Sequence, residues 1–350
     1  MDYILRRCSI CFDANLDFFL QNCKDQFCKS CFQRYVHENV KNSWGLVVQP
    51  IKCPVCSDVI PKNEWERYVD AKLVRQFERN NKPFRPFIRH CDSCRTDICC
   101  AESPVFSRRE RKQVFGDMYA LLQRIVSRSS DRQILDKFQT DYKQSLSAGN
   151  VDHVLVYKSM IKSLKDIVCA RYRGNMDAVE ASPEWSVMAL FSRRFTAIEM
   201  QASQWNTLQF LHVSNFPRAS CASCSTELCF LCGEQYHPQK SCHEHMQDLL
   251  AHHEGSEEVQ ANLSWKLENS KRCPSCCILI TRDEGCNKVS CLYCGYQFCW
   301  VCCGKFNDGD CGFYKCSLSL DEPDIPPDLS DFQTELGVPD MTVIGAKLKL

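Results

Sequence analysis

Nine CxxC pairs punctuate the chain, at Cys8/Cys11, Cys28/Cys31, Cys53/Cys56, Cys91/Cys94, Cys221/Cys224, Cys229/Cys232, Cys273/Cys276, Cys291/Cys294 and Cys299/Cys302. No other feature restricts the available folds so sharply. A CxxC turn sets two thiolates about 3.5–4 Å apart, near the edge of a tetrahedron built on ~2.3 Å Zn–S bonds, so pairs in succession read as zinc ligands. Of the 350 residues 28 are cysteine, clustered at 8–56, 91–100, 221–242 and 273–316. Modules this small draw folding free energy from the metal rather than from a large core. The opening MDYILRRCSI carries no apolar run of leader length, and no stretch approaches the ~18 apolar residues of a membrane span. The expectation is a soluble intracellular chain, in the cytoplasm, the nucleus or both. There thiols stay reduced, and CxxC pairs hold zinc instead of stapling a secreted disulfide scaffold.

Lysine plus arginine number 43, as do aspartate plus glutamate. Balanced charge supplies no long-range pull, so neither nucleic acid nor a membrane is expected as a partner. The stretch 101–215 holds Cys169 alone and has sixteen basic against twelve acidic residues, too slight an excess to argue for RNA or DNA. VFGDMYALLQRIV places Val114, Met118, Leu121, Leu122 and Ile125 on one helical side, VDHVLVYKSMIKSLKDIV repeats the period, and SAGN at 147–150 parts the two. Ser182 as N-cap, Pro183 at the first helical position and Glu184 open a further helix. The block reads as an all-α insertion of three or four helices, with Cys169 in its core. Residues 243–272 read as a helical linker, and 317–350, with the acidic, proline-rich DEPDIPPDLSDF, as a mobile tail.

The ligands sort into six zinc sites. If the first pairs interleave, one zinc takes Cys8, Cys11, Cys28 and Cys31, and a second takes Cys23, Asp25, Cys53 and Cys56. His37 is the fallback for Asp25, although it falls in the expected helix FQRYVHENV. Cys229, Cys232, His237 and Cys242 complete another site. Cys221 and Cys224 still lack two ligands, which Cys91 and Cys94 can supply across the insertion, with Cys99 and Cys100 as competitors. Cys273, Cys276, Cys291 and Cys294 form the fifth group, and Cys299, Cys302, Cys311 and Cys316 the sixth. Left over are Cys99, Cys100, Cys169, Cys277, Cys286 and Cys303.

The interleaved first module resembles a RING domain, with Asp25 where a RING usually has histidine; a carboxylate oxygen is an accepted zinc ligand. The run CxxC-x4-CxxC-x4-H-x4-C from Cys221 to Cys242 resembles the in-between-RING module. CPSCCILITRDEGCNKVSCLYCGYQFCWVC is similar to the catalytic RING of the RING-between-RING ubiquitin ligases. The resemblance implies small, zinc-stabilised, irregular α+β modules: a first RING at 4–60, a linker at 61–90, an in-between-RING module at 91–242 interrupted by the insertion, and a catalytic RING at 273–316. It also implies a ubiquitin ligase whose first RING recruits a ubiquitin-charged conjugating enzyme through Ile10, Pro54 and Val55. Ser57 stands where directly acting RINGs often carry a basic residue, which suits handover to a second cysteine.

Within that resemblance Cys286, after Gly285, is the thiol that accepts ubiquitin and yields it to a protein substrate. A thiolate that is exposed and free of metal is the required nucleophile. Family members often carry histidine two residues further on, where this chain has Lys288; the last histidine in the chain is His253. Lys288 can favour a thiolate electrostatically but is a poor general base, so Glu284 or Asp283 is the expected assistant. Two rival readings are a catalytically silent zinc scaffold that binds ubiquitin and a zinc-finger nucleic-acid binder. The first draws on Lys288; the second lacks basic–aromatic interleaving.

Overall fold

The computed structural model describes residues 7–13, 16–42, 46, 50–126, 131–148, 151–252, 257–282, 285–307, 309–314 and 316–317. Asp283, Glu284 and the tail expected beyond residue 317 lie outside them. Five two-stranded antiparallel hairpins and eleven helices make up the described chain, and none of the helices is long and apolar enough to cross a membrane. Hairpins of three residues or fewer per strand do not stand alone in water. Each is therefore held by its ligand clusters and by a few apolar side chains.

The first module pairs β1 (Phe18–Phe19) with β2 (Gln26–Phe27) and follows with α1 (Lys29–Lys41). The buried face of α1, Phe32, Val36 and Val40, meets Phe18, Leu20, Phe27 and Ile51. Residues expected as linker belong to this module. Helices α2 (Lys62–Trp65) and α3 (Ala71–Asn80) insert Trp65 and Leu73 into the same core, with Trp65 edge-on to Phe77 at 4.8 Å. Asp70 caps α3 by accepting from the Leu73 amide.

The second module opens with the hairpin β3 (Ile88–His90) and β4 (Asp97–Cys99) and resumes, after the insertion, with β5 (Arg218–Ser220) and β6 (Glu227–Cys229). The insertion holds six helices, more than expected: α4 (Arg108–Ile125), α5 (Arg132–Ala148), α6 (His153–Arg171), α7 (Met176–Glu180), α8 (Pro183–Thr196) and α9 (Ala202–Asn215). The periodic faces do pack inward, with Met118, Leu122, Ile125, Leu164 and Phe191 fully buried together. Ser182 caps α8 through the Trp185 amide at 3.2 Å. Helix α9 escapes a periodicity search because it is buried on both sides, giving Leu208 to the bundle and Trp205, Phe210 and Val213 to the second module. Its Gln209 accepts from the Phe87 amide at 2.9 Å, which brings the far end of the insertion back to its start.

A polar chain runs through the bundle interior, from Tyr157 OH to Ser192 Oγ (2.5 Å) and on to His212 Nδ1 (2.8 Å). Burial, with Arg193 adding repulsion, lowers the His212 pKa from 6.5 to about 3. The unfolded chain binds the extra proton between those values. This residue's contribution to stability is thus whole above pH 6.5 and is lost as pH falls toward 3. The full loss is on the order of 5 kcal/mol. Urea titrations at about pH 7 and pH 5 are expected to show a smaller stability drop in His212→Gln than in the parent chain; equal drops would assign the acid sensitivity elsewhere.

Helices α10 (Cys242–His252) and α11 (Glu257–Asn269) lead into the third module. Its first strand, β7 (Ser270–Arg272), lies inside the stretch expected as linker and pairs with β8 (Leu279–Thr281); β9 (Lys288–Ser290) pairs with β10 (Gln297–Cys299). The second and third modules share one core. The Leu279 amide donates to the Leu231 carbonyl at 3.0 Å, and Phe87 meets Tyr293 edge-on at 5.2 Å. The Leu46 amide also reaches the Leu292 carbonyl at 2.9 Å, linking the first module to the third.

Candidate metal centres and active site

Eight of the nine CxxC pairs build the same turn. The amide of the first cysteine donates to the carbonyl five residues on, and the residue after the second cysteine donates back to the first, as in Cys53 N to Asp58 O (2.7 Å) and Ser57 N to Cys53 O (3.0 Å). That following residue is left-handed every time: Phe12, Ser57, Arg95, Ser225, Gly233, Cys277, Gly295 and Cys303 have φ between +57° and +87°. Six of the eight are not glycine, at a strain of about 1–2 kcal/mol each, which the turn sustains because the metal-binding geometry requires it. Leu20 to Asp25 repeats the turn with Leu20 in place of a first cysteine and Lys24 at φ +62°. The remaining pair, Cys28 and Cys31, opens α1 instead.

The turns converge into quartets. Ligand atoms lie within 4.8 Å of one another in Cys8/Cys11/Cys28/Cys31, Cys91/Cys94/Cys221/Cys224, Cys229/Cys232/His237/Cys242, Cys273/Cys276/Cys291/Cys294 and Cys299/Cys302/Cys311/Cys316. Sulfur–sulfur distances of 3.6 Å (Cys11–Cys28), 3.4 Å (Cys94–Cys221), 3.7 Å (Cys276–Cys291) and 3.9 Å (Cys302–Cys311) bracket the ~3.8 Å edge of a zinc–thiolate tetrahedron. None of the 28 cysteines is in a disulfide. His237 Nδ1 donates to the Lys240 carbonyl at 2.9 Å, which leaves the Nε2 lone pair, 3.4 Å from Cys232 Sγ, for a metal. The donor sets thus suit zinc.

Asp25 stands among Cys23, Cys53 and Cys56. Its Oδ2 is 3.1 Å from Cys53 Sγ, and hydrogen bonds from Cys23 and Cys53 hold its carboxyl below the usual range. His37 lies on α1 beside Glu38 instead. Across the insertion the partners of Cys221 and Cys224 are Cys94 and Cys91. Hydroxyls of Thr96 and Thr226 hold Cys94 and Cys224 below the ordinary thiol range, the direction that favours thiolate ligands. The competitors go elsewhere. Cys99 ends β4, and burial pushes the Cys100 thiol up to about 12 while it contacts Gln209 Oε1. Cys277 and Cys303 occupy the left-handed corners of their turns, outside the quartets. Cys169 packs, partly buried, against the bundle core.

Cys286 also lies outside the five quartets, half-buried between β8 and β9 after Gly285, whose φ of +125° places it where an L side chain is strained. Its Sγ contacts the Lys288 carbonyl at 3.5 Å. The next residue anchors the loop. Asn287 is 6% exposed, its amide donates to the Phe313 carbonyl at 2.6 Å, and its own carbonyl accepts from the Trp300 amide at 2.7 Å. The Lys288 ammonium lies over the Phe306 ring at 5.0 Å. Ile10 is half-buried and Pro54 and Val55 exposed on the first module, Val55 at 52%; Phe12 and Val59, missed in the sequence, extend that apolar surface at 72% and 51%. Only their exposure reveals them.

Residues 268–317 match the IBR domain family model. The match falls on the third module, whose eight ligands are contiguous in the chain. About a third of the chain aligns at 32% identity with the E3 ubiquitin-protein ligase ARIH2 of Mus musculus, over 108 residues, 31% of this chain and 21% of the relative. The potential E3 ubiquitin-protein ligase ariadne-2 of Caenorhabditis elegans is 31% identical over 31% of this chain and 22% of the relative. The probable E3 ubiquitin-protein ligase RNF144A of Xenopus tropicalis is 33% identical over 29% and 34%. The matched part of the chain is thus similar to E3 ubiquitin-protein ligases, and its third module to the IBR domain. It spans about a fifth to a third of the length of these relatives. In this chain the all-α insertion separates the two halves of one quartet, Cys91/Cys94 and Cys221/Cys224, whose ligand atoms still meet.

Proposed function

We propose that the chain is a ubiquitin-protein ligase that carries ubiquitin on Cys286 as a thioester and passes it to a lysine of a protein substrate. The observation that supports this best is a thiol outside the ligand quartets, on a loop pinned through Asn287. The Cys286 thiolate attacks the thioester carbonyl of a charged conjugating enzyme; the new C–S bond forms as the enzyme's own cysteine leaves as thiolate. A neutral substrate amine then attacks, loses its proton to solvent or a base, and forms the isopeptide bond as Cys286 leaves. The chain's own structural complement is six zinc ions, the sixth held by Cys23, Asp25, Cys53 and Cys56, and it works in the reducing cytoplasm or nucleus. The test is a non-reducing gel after mixing with a ubiquitin-charged conjugating enzyme. A thiol-labile ubiquitin adduct is expected, and its absence would sink the reading.

The conjugating enzyme docks on Ile10, Pro54 and Val55. The amides of Ile10 and Val55 donate to Cys8 Sγ (3.5 Å) and Cys53 Sγ (3.4 Å), so the docking side chains are tied to the two ligand turns. Truncating Ile10 and Val55 together to alanine is expected to weaken conjugating-enzyme binding at least about tenfold, read by titration calorimetry, since buried apolar anchors dominate such surfaces. A silent scaffold is the second reading, favoured by Lys288 in the place of a base. It expects ubiquitin binding without any adduct.

A further inference from the structure

We propose that Arg282 is the positioning residue for the Cys286 thiol, bracing the loop that carries it against the indole of Trp300; this rests on the role proposed for Cys286. Arg282 follows β8, and its amide is fixed by the Asn269 carbonyl at 2.8 Å, at the end of α11. From that anchor its Nη1 donates to the carbonyl of Cys286 at 2.8 Å. The guanidinium lies over the Trp300 ring, 4.8 Å from its centroid. Among the described residues its buried Nε meets no hydrogen-bond partner, and the Cys286 carbonyl and the indole are what hold the group.

The indole is itself immobilised. Trp300 is 8% exposed, its amide donates to Asn287 O, and its carbonyl accepts from Lys271 Nζ at 2.8 Å. Arg282 and Trp300 thereby grip two consecutive peptide carbonyls, those of Cys286 and Asn287. Two grips on adjacent peptides hold the chain that leaves Cys286, and so fix the position of its Cα beside the anchored Asn287. A planar fork that stacks and donates at once suits this task, which an ammonium performs only in part. No histidine or other acid–base group is needed for this; the gain is orientation of a nucleophile toward a large thioester, where a 1 Å misplacement costs about a hundredfold.

The test uses the full zinc-loaded chain with R282Q and R282K, followed by three readouts. These are the kcat and KM of adduct formation with charged conjugating enzyme, the rate of Cys286 alkylation by a maleimide, and zinc stoichiometry. R282Q is expected to lower kcat about tenfold to a hundredfold with KM and zinc unchanged. The same change is expected to speed alkylation at least about threefold, because a loosened loop exposes a half-buried thiol to a small reagent that needs no orientation. R282K falls between. Zinc loss in R282Q would make the role merely structural and overturn the proposal, as would unchanged kcat and alkylation. Should the parent chain form no adduct at all, the ligase reading fails, and the alkylation rates alone decide whether Arg282 holds the loop.

Discussion

Cys291→Ala is expected to release one metal ion and to unfold the third module together with the hairpins of the second. Structural zinc contributes about 10–16 kcal/mol to modules of this size, which matches or exceeds the whole stability of an ordinary domain. The vacated quartet of Cys273, Cys276 and Cys294 would leave three thiols, and Ile278 above them, without the centre that organises them. Damage then spreads through a shared core, where Cys276, Ile278 and Cys291 pack in one cluster with Phe87, Phe230 and Leu231. The helical insertion has its own core and should keep most of its helical signal. Native mass spectrometry gives the metal count, and limited proteolysis locates the unfolding. A variant with full metal and a parent-like digest would show that the quartet is not a structural site.

Cys286→Ala is expected to do the opposite: activity vanishes and structure stays. The thiol contacts the Lys288 carbonyl and lies outside the five quartets, so metal content and melting behaviour should match the parent. Adduct formation should fall at least about a thousandfold, as for removal of any obligatory nucleophile. Cys286→Ser adds a chemical signature. Ubiquitin captured there would be held by an oxyester, which survives the thiol reductant that strips the parent adduct. An adduct of undiminished yield in Cys286→Ala would move the chemistry to another cysteine, with Cys99, Cys100, Cys169, Cys277 and Cys303 as the other thiols outside the quartets.

The ligand quartets were legible because a metal site needs a handful of atoms and a CxxC turn fixes two of them within five residues. Asp25 is assigned with the RING-like interleaving, and its carboxylate stands 3.1 Å from Cys53 Sγ. Less visible was what lies between. Residues 61–80 read as linker because α2 and α3 are short and mostly polar, yet Trp65 and Leu73 complete the first core. Six helices appeared where three or four were expected, chiefly because α7 is a single turn and α9 has two buried sides. The carbonyl grip of Arg282 on the Cys286 loop leaves no sequence signal at all.

Spacing determined which cysteines form the paired turns and left Cys286 apart, because each turn is a local object whose geometry follows from five or six consecutive residues. Tertiary structure alone decided that Cys91 and Cys94, rather than Cys99 and Cys100, meet Cys221 and Cys224 across the insertion, because α9 carries the chain back through Gln209. It also decided how the free thiol is aimed. That direction depends on a guanidinium, an indole and a buried asparagine from three separate turns, whose meeting is a matter of packing and not of order along the chain.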